Sequence, residues 1–433
     1  MCDFLGSPKT PSKSNFSMKT NCMCDAFVIY LLPFPFGKRD YDRFGVETFV
    51  NSGFDVQVWD MTDYFVPGYR QRCGQVPDFL EFSGLRQFHN IDAILEAIGA
   101  LSSKAYVFSF LEQGAKSYPI LLALSGRRIP YVRFSINSLP DFAGEVATGS
   151  LTDRLRTLTA SLKLRVKTLD RERIRHYVFR LSTFWKSGIA PPNLLVVDGE
   201  KSYRAAVKSK VPQSDIVKAH TLDYDLFLNI KDLRTRLKES TAVFIDEFFP
   251  FHPDHFYMKV VPCVTADVYY PLLRRFFDEV ETSLDLRVKI AAHPRSCYDN
   301  TEKYFGDREV IWGQTVELVR DASLVLLTSS TAVNFAVLFQ KPMLFITTNQ
   351  INLRYARLIK AMVANLDAPI LNLDESITIQ PELLKRPSVD NYGKYKNEFI
   401  KMADSPDEFF WDIIKDALQI NRGCTRSDEK MNK

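Results

Sequence analysis

The sequence predicts an α/β chain made of two Rossmann-like domains facing a central cleft. Three observations carry that expectation. The chain has 433 residues, and single hydrophobic cores stop growing at about 250–300 residues, so two domains follow. Short apolar runs alternate with amphipathic stretches in both halves, the pattern of a parallel sheet with right-handed helical crossovers. The apolar share is 46% and the charged share 25%, which suits a folded domain pair and argues against disorder over most of the length.

In chain order, residues 1–24 are rich in Ser, Lys, Thr and Pro and read as a disordered leader. Ala26–Leu32 is a β-branched and aromatic strand ended by Pro33, followed by the charged, amphipathic stretch Arg39–Asn51. Asp55–Trp59 reads as a strand, Ile91–Leu101 as a helix, Ala105–Leu111 as a buried strand, Lys116–Ser125 as a helix and Pro130–Ser135 as extended. No G-x-G-x-x-G accompanies these elements, so the first half is not read as a dinucleotide site. Residues 151–187 break the alternation with a long, basic, helical insertion. Such a segment is either a solvated face or meets something anionic, such as an acidic membrane surface. Strands at Leu194–Val197 and Ile216–Ala219 follow, then a charged linking helix over Lys231–Glu239.

The second half repeats the architecture without repeating the sequence. Its strands are Ala242–Ile245, Arg287–Ala291, Glu309–Ile311, Leu324–Leu327 and Met343–Ile346. Helices are expected from about Asp267 to Leu284, over Val316–Arg320 and from about Val333 to Gln340. The expected division is an acceptor-side domain over 25–235, a donor domain over 236–420 and a polar tail over 421–433.

Composition excludes several classes. A net charge of +4 is too small for a nucleic-acid-binding face. No run of about 18 apolar residues is present to span a bilayer. The seven cysteines are scattered without metal spacing, which suits reduced thiols. The expected location is cytoplasmic, with peripheral contact on the inner face of the plasma membrane through the basic segment.

Ligands of open parallel sheets bind beyond the carboxyl ends of the strands. The residues just after the strands are therefore the candidates. Thr328, Ser329, Ser330 and Thr331 follow Leu324–Leu327 and open a helix, where hydroxyls and free N–H groups suit a phosphate; the plain alternative is helix capping. His293, Pro294 and Arg295 follow Arg287–Ala291. His293 can donate to a phosphate oxygen or, as a cation, offset charge on a leaving phosphate, and Arg295 can grip an anion in a bidentate way. Asp246 follows the first strand of this half and is read as touching donor or acceptor. His252 and His255 stand three apart beside Asp254, but Pro253 disfavours alignment on a helix and no third ligand is evident, so no metal is expected. Glu112 and Asp198, each after a strand of the first half, are candidate general bases on an acceptor hydroxyl. Either may instead cap the helix after it, and Asp198-Gly199 is also a turn signal.

The stretch Lys289–Thr347, KIAAHPRS…VIWGQTVELVRDASLVLLTSSTAVNFAVLFQKPMLFIT, resembles the bacterial GT-B sialyltransferases and related surface-polysaccharide transferases. Those families carry a His-Pro motif and a later Ser-Ser or Ser-Thr motif, and use acids activated by cytidine monophosphate (CMP), such as nonulosonic acids or Kdo. The resemblance implies His293 and Pro294 at the donor's cytidine and phosphate, and Ser329 and Ser330 at its phosphate. It also implies metal-independent transfer without a cofactor, from a nucleotide-sugar donor to a glycan or lipid-linked glycan of lipopolysaccharide or capsule. The family's base lies in an acidic-plus-Gly motif, whose nearest match is Asp198-Gly199, with Val197 in the place of the first acidic residue. Three other readings stay open: a uridine-diphosphate-sugar or polyol-phosphate transferase, a nucleotide-sugar epimerase, and a non-catalytic sugar- or nucleotide-binding scaffold.

Overall fold

The computed structural model describes residues 27–74, 76, 78–102, 104–112, 114–140, 188–208, 216–233, 240–257, 261–298 and 302–421. The expected leader, the basic insertion 151–187, residues 234–239 of the linking helix and all but the first residue of the tail lie outside them.

Two all-parallel sheets carry the chain, as the alternation of elements predicts. The first contains β1 (Phe27–Leu32), β2 (Asp55–Asp60), β3 (Leu85–Gln87), β4 (Ala105–Ser109), β5 (Tyr131–Ser135), β6 (Leu194–Val197) and β7 (Ile216–Lys218). The second contains β8 (Thr241–Ile245), β9 (Arg287–Ala291), β10 (Val310–Ile311), β11 (Leu324–Leu327), β12 (Met343–Thr347) and β13 (Ile370–Asn372). The strand orders are β3-β2-β1-β4-β5-β6-β7 and β10-β9-β8-β11-β12-β13. Each order runs outward from its first strand in one direction and then in the other. The reversal opens a crevice beside β1 and β4 in one sheet and beside β8 and β11 in the other. The chain thus has the GT-B form, two doubly wound domains.

The strands are apolar runs because both of their faces are covered. Val28, Tyr30 and Leu32 of β1 enter one core with Val58, Phe108 and Val196, while Ile29 and Leu31 enter another with Trp59, Val107 and Tyr131. The second sheet is covered by helix Ala266–Leu284, which buries Tyr269, Tyr270, Leu273, Phe276, Phe277 and Val280. That spacing is the stripe of an amphipathic helix. No helix among the described residues is long and apolar enough to cross a membrane.

Besides strands β3 and β13 and helix Leu353–Leu366, which were not expected from the sequence, three differences concern how the domains are built. Arg39–Asn51 is two short helices, Lys38–Arg43 and Val46–Asn51, because Gly45 between them takes φ +59°. A Cβ at Gly45 would also strike the ring of Trp411. Of the expected linking helix Lys231–Glu239, residues 231–233 form a turn after helix Leu222–Ile230 and the rest lie outside the described residues. Finally, residues 236–420 do not all belong to the second domain. The last helix, Phe410–Asn421, returns to the first, where Phe410, Trp411, Ile413, Ile414 and Leu418 join the core of β1, β4 and β6.

The two passages between domains lie side by side. His220 bridges Lys401, and the Thr221 N–H donates to the Ile400 carbonyl at 2.8 Å. Gly199 permits this: a Cβ there would meet the Glu398 carbonyl oxygen at 2.3 Å. Asp223 on helix Leu222–Ile230 ties both domains, accepting from Arg43 of the first at 2.7 Å and from Asn334 of the second at 3.0 Å.

Trp411 is the anchor of the returning helix. It packs on Tyr30, Phe49, Phe108 and Phe134, and its Nε1–H donates to the Arg43 carbonyl at 2.8 Å. Trp411→Ala should therefore cost about 3–5 kcal/mol of stability in urea unfolding. A loss of under about 1 kcal/mol, within the range of ordinary surface changes, would mean that the helix is not part of the first domain's core.

Candidate functional site

The site is built from the loops that leave β8, β9 and β11 at the reversal of the second sheet. Two acidic neighbours at the end of β8 reach to opposite sides. Asp246 turns toward β9: its Oδ2 accepts the His293 N–H at 3.3 Å and the Tyr298 hydroxyl at 2.8 Å. Its Oδ1 accepts the Phe248 N–H at 2.9 Å, and Phe248 sits in the left-handed region at φ +52°. Glu247 turns toward β11. It accepts from the Thr328 hydroxyl, from the Ser329 N–H at 3.2 Å and from the Ser329 hydroxyl at 3.0 Å. Burial raises Asp246 to about 6 and Glu247 to about 7, against the pull of these hydrogen bonds.

The loops present two histidines to each other in matching local frames. Each begins a His-Pro-charged tripeptide, His252-Pro253-Asp254 and His293-Pro294-Arg295. In each, the ring Nδ1 accepts the backbone N–H two residues on: Asp254 N–H to His252 at 3.0 Å, and Arg295 N–H to His293 at 3.2 Å. The third residues pair with each other, Arg295 on Asp254 at 3.2 Å. The two Nε2 atoms stand 3.3 Å apart.

That geometry fixes the tautomers. A ring whose Nδ1 accepts a backbone N–H carries its proton on Nε2 when neutral. Both Nε2–H groups are then donors, and two donors cannot bond each other. An acceptor that satisfies both has to come from outside the protein's own residues, and an oxygen of a bound ligand can serve. Burial, and after it the neighbouring His252, Arg295 and Arg39, pushes His293 down to about 2. Burial is also the main cause lowering His252, with Arg295 and His255 adding to it against Asp254. Of the two expected states of His293, donor or cation, burial and then the positive neighbours favour the neutral N–H donor in the free protein. His255 turns away, its Nε2–H on the Phe249 carbonyl at 2.6 Å.

The first domain adds a cavity of about 360 Å³ alongside Arg295, lined by Arg39, Asp40 and Arg43 after β1, Phe110 and Glu112 after β4, and Arg133 to Asn137 along β5 and beyond. Glu112 is exposed to it. Asp40 is more enclosed, and burial raises its pKa against the charges of Arg39 and Arg295.

The candidates of the sequence thus separate. Arg295 and Glu112 line the cavity together, and His293, two residues before Arg295, stands beside His252 and is not part of the lining. Pro294 is exposed at the turn. Asp246 spends its acceptor sites on protein donors and holds the His293 loop in place. Asp198 is fully buried: it accepts from Asn137 N–H at 2.6 Å, Gly199 N–H at 2.7 Å and the Ser202 hydroxyl at 2.6 Å, and it does not line the cavity. Burial raises it to about 6. Thr328 and Ser329 already hold the Glu247 carboxylate where a phosphate was expected, so a donor phosphate there has to displace it. The Ser330 hydroxyl accepts the Ala332 N–H at 3.3 Å, a capping turn, and Thr331 is exposed. Sequence reasoning missed Arg39, Asp40 and Arg43, which sat in a stretch read only as charged and amphipathic, and it missed the pairing of His252 with His293. The signal for the pairing was present in the two His-Pro-charged tripeptides, each after a strand.

Glu247 gives the site a pH dependence. Its folded-state pKa lies above the ordinary 4.5, so between about 4.5 and 7 the native state binds more protons than the unfolded chain, and stability falls as pH rises through that window. Glu247→Gln removes this contribution. The variant should match the wild type in Tm at pH 5 and exceed it at pH 8. Parallel Tm-against-pH curves for the two proteins would contradict the assignment.

No protein-family model and no curated protein matches the chain. Among solved structures it is similar to a UDP-N-acetylglucosamine 2-epimerase (13% identity, 92% of this chain and 96% of that one, TM-score 0.46). It is also similar to the UDP-GlcNAc 2-epimerase of Methanocaldococcus jannaschii in complex with UDP-GlcNAc and UDP (12% identity, 91% and 99%, TM-score 0.43). A third is a spinosyn rhamnosyltransferase complexed with thymidine diphosphate (12% identity, 92% and 96%, TM-score 0.39).

Proposed function

We propose that the protein is a glycosyltransferase of the GT-B type, working without a metal, that binds a nucleotide-activated sugar on its second domain and transfers the sugar to an acceptor in the interdomain cavity. One observation carries the reading: His252 and His293, in the loops after β8 and β9, each accept a backbone N–H on Nδ1 and bring their Nε2 atoms to 3.3 Å, which leaves two Nε2–H donors side by side when the rings are neutral. Such fixed donors stabilise charge that develops on a leaving phosphate and need no reorganisation during the reaction. Arg295 and Arg39 add positive potential beside them.

In this reading the acceptor hydroxyl forms a bond to the anomeric carbon as the bond from that carbon to the donor phosphate breaks. Glu112 takes the acceptor proton, with Asp40 as the second carboxylate within the same cavity. The electron pair of the broken bond goes to the phosphate oxygen, which accepts from the two imidazoles. Asp246 acts as a positioning residue, since it fixes the backbone N–H of His293. Asp198 is assigned a structural role. The donor proposed is a CMP-activated nonulosonic acid or Kdo, on the resemblance of Lys289–Thr347, and the acceptor a surface glycan, free or lipid-linked.

Calorimetry with CMP, CDP, UDP and GDP tests the reading, with His252→Ala and His293→Ala as controls. The proposal predicts that CMP binds best and that each variant weakens it by about 10- to 100-fold, the worth of one hydrogen bond to a charged group. Preference for a diphosphate, with the same loss in the variants, would replace the donor but keep the transferase. Binding of no nucleotide would contradict the proposal and favour a scaffold.

A further inference from the structure

We infer that the interdomain cavity takes an anionic acceptor, a sugar bearing a carboxylate or a phosphate. The inference rests on the transferase reading for the word acceptor, but the cavity argues for the ligand's chemistry by itself. Its walls bring four arginines, Arg39, Arg43, Arg133 and Arg295, against two carboxylates, Asp40 and Glu112. Arg295 is paired with Asp254 and Arg43 with Asp223. No ion pair or hydrogen bond engages the guanidinium of Arg39 or Arg133 among the described residues.

Two of the residues that line the cavity also carry a buried polar atom without a partner among the described residues, Nε of Arg43 and Oδ1 of Asn137, both enclosed behind the cavity surface. Buried polar groups are normally satisfied, and an orphan costs about 1–3 kcal/mol. The arginines supply forks for a carboxylate or phosphate. Opposite them, Phe110 and Phe134 stack at 4.8 Å and 18° and line the same cavity. That apolar wall suits the C–H face of a sugar ring. A volume of about 360 Å³ admits one or two sugar rings and excludes a long chain. Crowding of like charge points the same way: after burial, the neighbouring Arg43 and Arg295 lower Arg39, with Asp40 and Asp223 opposing. A bound anion relieves that repulsion.

The test measures binding of methyl β-glucuronide, glucose 1-phosphate and methyl β-glucoside to the full chain, with and without CMP. At least one anionic probe should bind at least 10-fold more tightly than the neutral glucoside. Whichever anion wins assigns the group as carboxylate or phosphate. Arg133→Gln should weaken the anionic probe by about 10-fold or more, Arg133→Lys should lose less, and CMP affinity should hold in both, which also reports that they are folded. Equal binding of the neutral glucoside, failure of both anionic probes to bind, or unchanged anion affinity in Arg133→Gln would overturn the inference. Anion binding with no binding of CMP, CDP, UDP or GDP would leave the cavity's ligand assigned and remove the transferase reading instead.

Discussion

The site depends on what Asp246 and Glu247 do at the end of β8. They follow directly on β8, and their carboxyls bond two different loops. One is the loop after β9 and the other the loop after β11, because β8 lies between those two strands. Asp246 fixes the first loop through the His293 N–H and the Tyr298 hydroxyl. Glu247 fixes the second through Thr328 and Ser329. Both carboxyls sit above their ordinary pKa because burial outweighs the hydrogen bonds they accept. Three loops from separate parts of the chain are thereby held in one arrangement, and the left-handed Phe248 turns the chain away toward His252.

Everything the histidines do follows from that arrangement. Proline after each histidine has no N–H and a fixed φ, and the N–H of the third residue falls on Nδ1 in both tripeptides. The rings are left as neutral donors side by side. Asp223 links this half of the cleft to the other. It holds Arg43 beside the cavity and Asn334 at the helix after β11, so the arginine wall and the donor loops keep a common frame.

The fold was legible because buried parallel strands are apolar on both faces. The runs at β1, β4, β6, β8, β9, β11 and β12 appear in the sequence within a residue or two of their observed ends. The placement of candidates after strands was legible for the same reason: topology puts ligands there whatever the residues. Contacts across long sequence separations were not legible. Nothing in Phe410–Asn421 states that its apolar stripe covers the first domain and not the second. Asp198-Gly199 looked like a base motif, yet the glycine serves a close backbone approach to Glu398, and the aspartate is enclosed by Asn137 and Ser202. Arg39 and Arg43 stood in a stretch that read only as charged and amphipathic. Whether a charged face meets water or a cleft depends on the opposing domain, which local sequence does not encode. The hydroxyls of Thr328 and Ser329 read as partners of a phosphate, and in the structure they bond the Glu247 carboxyl.

The central claim is that His252 and His293 are both neutral and both protonated on Nε2. Long-range nitrogen-15 NMR of the imidazoles at neutral pH tests it directly. The account predicts two rings with a pyrrole-type Nε2 and a pyridine-type Nδ1, and movement of both Nε2 signals when CMP is added. A proton on Nδ1 of either ring, or an imidazolium at neutral pH in the free protein, would contradict it, because the backbone N–H groups of Asp254 and Arg295 would then lack their acceptors.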